Sequence, residues 1–151
     1  MNGRLSEVAA VTAGRLAGAD IAFAGVSIDS RTLKPGELFF ALRGERFDGH
    51  AFVTIAAGRG AAGAVVEKAG DAPIAQIVVT NAVAALAALA QAWRRRSDAT
   101  VIGVGGSNGK TTTKELLASI LTGAGPTLAT RGNLNNHLGV PLTLLRLEPG
   151  H

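Results

Sequence analysis

The stretch Val101-Ile-Gly-Val-Gly-Gly-Ser-Asn-Gly-Lys-Thr-Thr-Thr-Lys-Glu115 decides the architecture of this 151-residue chain. It predicts a short buried strand over 101–104, then a glycine-rich loop, then a helix that begins at Lys110. Glycines at 105, 106 and 109 let backbone N–H groups turn inward, and the helix start adds unpaired N–H donors and a positive dipole end. The pattern therefore predicts a concave binding loop for a nucleotide polyphosphate.

Two side chains of this loop have predicted chemical roles. Lys110 is expected to reach the β- and γ-phosphates, and the Thr111 hydroxyl is expected to be a ligand of Mg²⁺. The match to the eight-residue phosphate-loop signature is imperfect because position 104 is Val and Gly103 comes one place early. A glycine-rich turn that binds no ligand is the alternative interpretation. The order of strand, glycines, lysine, hydroxyl and helix favours the nucleotide loop.

The composition is that of a globular protein. Apolar residues make up 47% of the chain and charged residues 17%, which is enough apolar surface for a core. Apolar runs all fall short of the roughly 20 residues that cross a bilayer, and polar residues interrupt any signal-peptide core. Because the chain has no cysteine, disulfides and thiolate metal sites are excluded. We expect a cytoplasmic protein without membrane insertion.

The net charge of +4 raises the question of nucleic-acid binding. The basic residues are spread along the chain, and the only cluster is Arg94-Arg95-Arg96 at the end of a predicted helix. Cations at that position complement the helix dipole. Aromatic residues are scarce and do not alternate with the basic ones, so a stacking surface for bases is not expected. We expect no nucleic-acid binding, and a positive field also suits a phosphorylated small substrate.

Apolar periodicity predicts strands that alternate with helices over the first 97 residues. The predicted helices are 3–13, 51–59 and a long one from the Asn81 cap to about Arg96, and the predicted strands are 23–28, 37–42, 64–67 and 76–80. This alternation indicates a small α/β domain with a largely parallel sheet.

Ser97-Asp98 is the predicted domain boundary, which gives one domain over 1–97 and the beginning of a second over 98–151. After the loop, the pattern predicts a helix over 111–121, a strand over 127–130 and an apolar helix over about 138–147. This is the opening of a doubly wound nucleotide-binding domain. Such a domain needs about five parallel strands and an acidic residue that helps to hold Mg²⁺. We therefore expect the second domain to be incomplete in this chain.

Three stretches together resemble the Mur ligase family. They are Ser27-Ile-Asp-Ser-Arg31 with Pro35-Gly-Glu-Leu-Phe-Phe-Ala-Leu-Arg-Gly44 and Phe47-Asp-Gly-His-Ala-Phe52, then Gly106-Ser-Asn-Gly-Lys-Thr-Thr112, then Thr130-Arg-Gly-Asn-Leu-Asn-Asn-His-Leu-Gly-Val-Pro-Leu-Thr-Leu-Leu145. The first resembles the N-terminal UDP-sugar-binding domain and the second resembles the ATP loop. The third is similar to a segment of the family member that adds D-alanyl-D-alanine. All three occur in the family's order and spacing.

The resemblance implies an ATP-dependent amide ligase of cytoplasmic peptidoglycan precursor synthesis. Such an enzyme adds D-alanyl-D-alanine to UDP-N-acetylmuramoyl-tripeptide through an acyl phosphate, uses ATP and Mg²⁺, and is expected to be a monomer. Two alternatives remain open, namely a sister ligase that adds the third amino acid and a non-catalytic UDP-sugar or nucleotide-binding module. Because the family has a longer central domain and a third domain, this chain alone is expected to be inactive.

The resemblance also implies the residues of the site. The ATP-binding residues are Gly106, Ser107, Asn108, Gly109, Lys110, Thr111 and Thr112; Lys110 and Thr111 are catalytic, and Thr111 is the metal ligand. The substrate-binding residues are Ile28, Ser30, Arg46, Asn133 and Asn136. The family usually has Thr where this chain has Gly105, and this difference predicts weaker ATP binding.

Several of these residues also have a purely structural interpretation. Ile28 and Ser30 adjoin a turn of the kind that Asp and Ser form with nearby backbone groups. The asparagines before the last helix could hold a pyrophosphate or a metal-bound water, or they could satisfy the loop backbone and cap the helix. Asp48-Gly49-His50 suggests acid–base chemistry, but we favour turn and cap chemistry for it.

Overall fold

The computed structural model describes residues 1–44, 47–132 and 134–151. Its strands are β1 (Asn2–Arg4), β2 (Arg15–Ala17), β3 (Ala22–Ala24), β4 (Val26–Ser27), β5 (Leu38–Phe40), β6 (Gly63–Val66) and β7 (Gln76–Val78). Its α-helices are α1 (Leu5–Val11), α2 (Val53–Gly58), α3 (Ala82–Arg94), α4 (Lys110–Thr122) and α5 (Gly139–Leu144), and a 3-10 helix, Gly49–Phe52, precedes α2.

A five-stranded sheet in the order β2-β7-β6-β5-β4 forms the centre of the fold. The four strands β4 to β7 are parallel to their neighbours, and β2 pairs antiparallel with β7 at the edge. The crossover from β5 to β6 contains the 3-10 helix and α2, as a parallel connection requires. The predicted α/β class with a largely parallel sheet is therefore confirmed.

The sheet is buried on both faces, so that helices and sheet form three layers. Leu38 and Phe40 of β5 belong to a core cluster shared with α1, α3 and α5, whereas Phe39 belongs to a second cluster shared with α2. All three side chains are at most 1% exposed. Because successive side chains of a strand point to opposite faces, a central strand with helices on both sides must be apolar throughout. This explains the unbroken apolar run over 38–42.

The last described helix packs against the first domain. Leu145 and Leu147, just after α5, are only 4% and 6% exposed, and Leu145 lies in the same cluster as Leu86 and Leu89 of α3. The indole Nε1 of Trp93 donates to the Leu147 carbonyl at 2.9 Å. The chain therefore returns to α3 after the phosphate loop and α4.

Two strand predictions are wrong. Residues 101–104 and 127–130 form no strand, and Val101 and Ile102 are 59% and 53% exposed. A strand is defined by backbone hydrogen bonds to a neighbouring strand. In the ranges that the structure describes, neither segment is part of a sheet. An apolar, β-branched run indicates only that a segment is suited to a sheet; it does not indicate that a neighbouring strand is present to pair with it.

Other differences are local. The strands β1 and β2 were not predicted, and the helix predicted over 3–13 is wrong at residues 3 and 4, which belong to β1. The strand predicted over 23–28 is divided into β3 and β4 at Gly25, where φ is 97°. The predicted Asn81 cap is confirmed, since its side-chain oxygen accepts from the Ala84 N–H. In the described residues no helix combines the length and apolarity needed to cross a membrane.

The Asp20 carboxylate joins the turn before β3 to the start of α1. It accepts from the Arg4 guanidinium at 2.8 Å and from both the N–H and the hydroxyl of Ser6 at 2.9 Å. These donors stabilise the charged form, and the Arg4 hydrogen bond contributes most to lowering the pKa of Asp20 to about 2. The side chain thus holds its proton less tightly in the folded chain than in the unfolded one.

This shift predicts the acid dependence of stability. A carboxyl pKa that is lower in the folded state adds stability above the unfolded-state pKa of about 3.9, and that contribution disappears as pH falls towards 2. Asp20→Asn should therefore lose less stability than the parent chain between pH 5 and pH 2 in urea unfolding. Asp71→Asn, on the exposed loop before β7, is the control and should follow the parent. Equal acid sensitivity of Asp20→Asn and the parent would contradict the assignment.

Candidate nucleotide-binding site

The glycine-rich loop curls directly into α4. The helix begins at Lys110, as predicted, and its N-cap is Gly109 in the left-handed region with φ of 75°. Gly106 also has a positive φ, of 136°. Residues with a Cβ rarely adopt these conformations, so glycine at both positions allows the tight turn before the helix. The loop therefore presents its backbone at a helix N-terminus, where N–H donors suit an anion.

The Lys110 ammonium lies over its own loop. Its Nζ donates to the Gly106 carbonyl at 2.6 Å and to the Ser107 carbonyl at 3.1 Å. Thr111 and Thr112 follow in the first turn of α4, and both are exposed. The cation and the hydroxyls are thus gathered at one end of the helix, where phosphate oxygens could reach them.

A trough of about 910 Å³ runs along one side of α4. Its polar lining includes Lys110, Thr111 and Lys114 from the first half of α4 and Thr130, Gly132 and Asn135 from the loop that precedes α5, together with Asp98, Thr100, Thr127, Thr143 and His151. Leu117 and Leu121, further along α4, also line it and make that end apolar. The start of α4 and the asparagine-containing loop therefore face one cavity.

The asparagine loop is only partly described. Asn136 accepts through Oδ1 from the N–H groups of Leu138 at 3.1 Å and Gly139 at 2.8 Å, so it caps α5. This agrees with the structural interpretation of the residue, namely that it caps the helix. The predicted substrate residues Asn133 and Arg46 lie outside the described residues.

Ile28 and Ser30 follow the carboxyl end of β4, at the sheet edge where parallel α/β folds bind ligands. Ser30 is 8% exposed, and Ile28 packs partly buried against the core. Between them, Asp29 accepts from the Arg31 N–H at 2.9 Å and from its guanidinium at 2.7 Å, and the Arg31 side chain is the main cause that lowers the pKa of Asp29 to about 2. The local turn is thus present, and a role of Ile28 and Ser30 in substrate binding stays a prediction.

Asp48 and His50 form a structural cluster. Asp48 Oδ1 accepts from the His50 N–H at 3.0 Å and lies 2.6 Å from His50 Nδ1, while His50 Nε2 accepts from the Glu67 N–H at 2.9 Å. Because Nε2 accepts, the ring proton belongs on Nδ1. The backbone hydrogen bond from His50 is the main cause that lowers the pKa of Asp48 to about 2. Both ring nitrogens are engaged, which fits the cap interpretation.

One trough residue was missed by the sequence analysis. Lys114 donates to the carbonyls of Thr130 at 2.7 Å and Gly132 at 3.2 Å. It stands four residues after Lys110, a spacing that places both side chains on one face of the helix. That spacing was a usable signal, but the partners of Lys114 are 16 and 18 residues away.

Thr111 is the one residue of this chain that was predicted to bind Mg²⁺. Among residues 1–44, 47–132 and 134–151, no group of three or more His, Asp or Glu side chains could hold a metal ion. Mg²⁺ prefers oxygen ligands and is commonly held by phosphate oxygens with few protein groups. The exposed Thr111 hydroxyl beside Lys110 fits a site of that kind, with the remaining ligands supplied from elsewhere.

Comparison with known protein families matches both parts of the chain. Residues 22–96 match the model "Mur ligase family, catalytic domain", and residues 104–151 match "Mur ligase middle domain". The second match begins just before the phosphate loop. The two matches lie on either side of the boundary predicted at Ser97-Asp98.

Individual relatives agree with these models. The chain is 46% identical over 145 residues to the UDP-N-acetylmuramoyl-tripeptide–D-alanyl-D-alanine ligase of Escherichia coli, covering 96% of this chain and 32% of that protein. A crystal structure of MurF from Acinetobacter baumannii superposes with a TM-score of 0.94 at 42% identity, covering 100% of this chain and 34% of that one. The MurF ligase of Thermotoga maritima, solved in complex with ADP, superposes with a TM-score of 0.73 at 36% identity, covering 83% of this chain and 30% of that one.

The chain thus spans about a third of the length of these relatives. Over that third, the sheet, α4 and α5 all lie within the superposed region, since the Acinetobacter baumannii structure covers the whole chain. Two adjoining family models, a relative that is 46% identical across both of them, and a shared fold lead to one conclusion: the chain belongs to the Mur ligase family.

Proposed function

We infer that this chain is the UDP-sugar-binding and phosphate-loop part of an ATP-dependent ligase that adds D-alanyl-D-alanine to UDP-N-acetylmuramoyl-tripeptide. The observation that carries the inference is the 46% identity to the E. coli ligase of that name across 96% of the chain. The reaction belongs to peptidoglycan precursor synthesis, and the enzyme is expected to work as a cytoplasmic monomer.

The phosphate loop would act by positioning and by charge neutralisation. The γ-phosphate of ATP passes to the terminal carboxylate of the tripeptide, which gives an acyl phosphate and ADP. The amine of D-alanyl-D-alanine then attacks the acyl carbon, and inorganic phosphate leaves from the tetrahedral intermediate. Phosphoryl transfer of this kind needs fixed cations and N–H donors more than a side-chain nucleophile. Lys110 and the glycine-rich turn supply such groups at the start of α4.

Mg²⁺ would supply further neutralisation of the phosphate charge. In this chain, Thr111 is the proposed contact to the ion, because its hydroxyl lies in the first turn of α4 next to Lys110. Ser107, Asn108 and Thr112 are proposed to contact the nucleotide. All three are exposed around the same turn.

The first domain is proposed to bind the UDP end of the precursor. Ile28 and Ser30 are its proposed contacts, at the carboxyl end of β4. The asparagine loop would face the muramoyl peptide, because Asn135 lines the same trough as Lys110 and Thr111. The precursor would thus extend from the sheet edge of the first domain towards the phosphate loop.

A hybrid ligase tests the proposal. In it, residues 1–151 of this chain replace the matching third of the E. coli ligase. The hybrid should release phosphate from ATP only when both UDP-N-acetylmuramoyl-tripeptide and D-alanyl-D-alanine are present, and the dipeptide precursor should not replace the tripeptide.

Two results would count against the proposal. A hybrid that binds the UDP precursor and remains folded, but releases no phosphate, would favour a non-catalytic binding module. A hybrid that prefers the dipeptide precursor would favour the sister ligase that adds the third amino acid. Circular dichroism and thermal unfolding of the hybrid beside the E. coli parent distinguish either result from failure to fold.

Gly105 gives a prediction for nucleotide affinity. The family usually has Thr here, and a Cβ built on Gly105 would meet nothing within 4 Å. Threonine therefore fits without displacing a neighbour, removes loop freedom in the unbound state and adds a hydroxyl donor. Gly105→Thr in the hybrid should bind ATP about threefold to tenfold more tightly by calorimetric titration, the equivalent of about 1 kcal/mol. An unchanged or weaker affinity would show that Gly105 does not limit binding.

A further inference from the structure

Lys114 makes three hydrogen bonds within the chain. Its ammonium donates to the Thr130 carbonyl at 2.7 Å, the Gly132 carbonyl at 3.2 Å and Glu115 Oε1 at 2.7 Å. The side chain is only 17% exposed, whereas Glu115 is 62% exposed. A lysine has three N–H donors, so these three acceptors satisfy the ammonium completely.

The two carbonyl contacts join segments that are far apart in sequence. Lys114 lies in the second turn of α4, directly below Lys110 on the same face, and Thr130 and Gly132 begin the loop that leads to Asn135 and the α5 cap. Lys110 donates to the phosphate loop, and Lys114 donates to the asparagine loop. The same helix face therefore contacts both loops, and Lys110, Lys114, Thr130 and Gly132 all line the trough.

The asparagine loop is anchored at its other end by a different contact. Asn136 caps α5 through the Leu138 and Gly139 N–H groups, and the residues that follow α5 pack on α3 of the first domain. Among the described residues, the loop is attached to α3 through α5 and to the phosphate-loop helix through Lys114. Loss of the second attachment would leave its separation from the phosphates undefined.

We propose that Lys114 is a positioning residue that sets the distance between the asparagine loop and the phosphate loop, and so places the acceptor carboxylate of the precursor against the γ-phosphate. The proposal rests on the ligase function proposed above. Lys114 acts through the loop and not on the substrate, since its three donors are used within the chain. A misplacement of about 1 Å between reacting groups can lower a rate by about 10²-fold.

Lys114→Met tests this because methionine keeps the length of the stem and removes every donor. In the hybrid ligase, we expect kcat to fall about 10-fold to 100-fold, while the Kd for ATP changes by less than about threefold because Lys110 and its loop are intact. Lys114→Arg keeps donors for the two carbonyls and should recover most of the lost kcat. Glu115→Gln, which removes only the exposed carboxylate, and Lys68→Met, an exposed lysine elsewhere, are the controls and should match the parent.

Hydrogen exchange of the 151-residue chain provides a readout that does not depend on ligation. Peptides from the loop between Thr130 and Leu138 should exchange at least about fivefold faster in Lys114→Met than in the parent, whereas peptides from α3 should not change. Unchanged exchange in that loop would overturn the proposal. So would a kcat within threefold of the parent, or an ATP affinity that falls as much as kcat does. A parent hybrid without ligase activity, combined with faster exchange in Lys114→Met, would reject the ligase function and leave the loop attachment standing.

Discussion

Replacing Lys110 by alanine is expected to reduce the turnover of the hybrid ligase by about 10³-fold, the largest effect of any single change in this chain. The ammonium lies over the turn at Gly106 and Ser107, and in the proposed function it neutralises the charge that develops on the transferring phosphoryl group. Removing one fixed donor or cation from such a site typically costs about 10²-fold to 10³-fold in kcat, and phosphate-binding cations can reach more. The measurement is ADP release at saturating substrates.

The stability of the protein should hardly change in Lys110→Ala, because the lost contacts are local and lie at the surface of α4. Lys68→Ala is the matched control, since it removes an exposed lysine with no predicted part in phosphate binding, and it should keep full turnover. Turnover of Lys110→Ala within tenfold of the parent would remove the phosphate loop from the mechanism. If the melting temperature of Lys110→Ala falls clearly below that of the parent, the loss of turnover would instead show that Lys110 supports the loop structurally.

Replacing Gly49 by alanine is expected to destabilise the fold by about 3 kcal/mol, which is the larger end of the usual cost of forcing an extra atom into a packed interior. A Cβ at this position would lie 2.6 Å from the Leu42 carbonyl oxygen, 2.7 Å from the Leu42 nitrogen and 2.8 Å from the Ala41 carbonyl carbon. All three are backbone atoms at the end of β5, so no rotamer change can relieve the contact. The Gly49 N–H also donates to the Leu42 carbonyl at 2.8 Å.

Thermal unfolding of the 151-residue chain measures this cost. For a chain of this size, about 3 kcal/mol corresponds to a fall of roughly 6–12 °C in melting temperature. Gly58→Ala in α2 is the matched control, because a Cβ there would meet nothing within 4 Å and alanine favours helix over glycine by up to about 1 kcal/mol. Its melting temperature should stay level or rise. Equal melting temperatures of Gly49→Ala and Gly58→Ala would show that position 49 does not need glycine for its close packing against the backbone that follows β5.

Gly49 also shows how far a motif can be interpreted without coordinates. Asp48-Gly49-His50 was assigned turn and cap chemistry from the residue types alone, and the Asp48 cap on the His50 N–H is present. The sequence could not show why glycine is needed at position 49, because the backbone atoms that leave no room for a side chain belong to Leu42, seven residues earlier. The same holds for His50, whose second ring nitrogen accepts from Glu67, 17 residues away.

The strand predictions also failed where the structure depends on residues distant in sequence. Residues 37–42 were recognised because a strand covered on both faces is apolar without interruption. Residues 101–104 have a similar composition but form no strand, since pairing depends on what lies beside the segment. Within the candidate site, the start of α4 at Lys110 was predicted to the residue, whereas Lys114 was missed because its partners are 16 and 18 residues away in the sequence.

The sequence alone therefore determined four structural features. They are the glycine turn, the start of α4 at Lys110, the Asn81 cap and the alternation that predicts a parallel sheet. The first three depend on the conformational preferences of residues within about one helical turn of one another, and the sheet prediction depends on the order of strand and helix segments along the chain. The tertiary structure alone decided that α5 returns to α3, that Gly49 packs against Leu42 and that Lys114 holds the loop at Thr130. These contacts join residues whose separation along the chain carries no periodic signal, so they exist only once packing has brought the segments together.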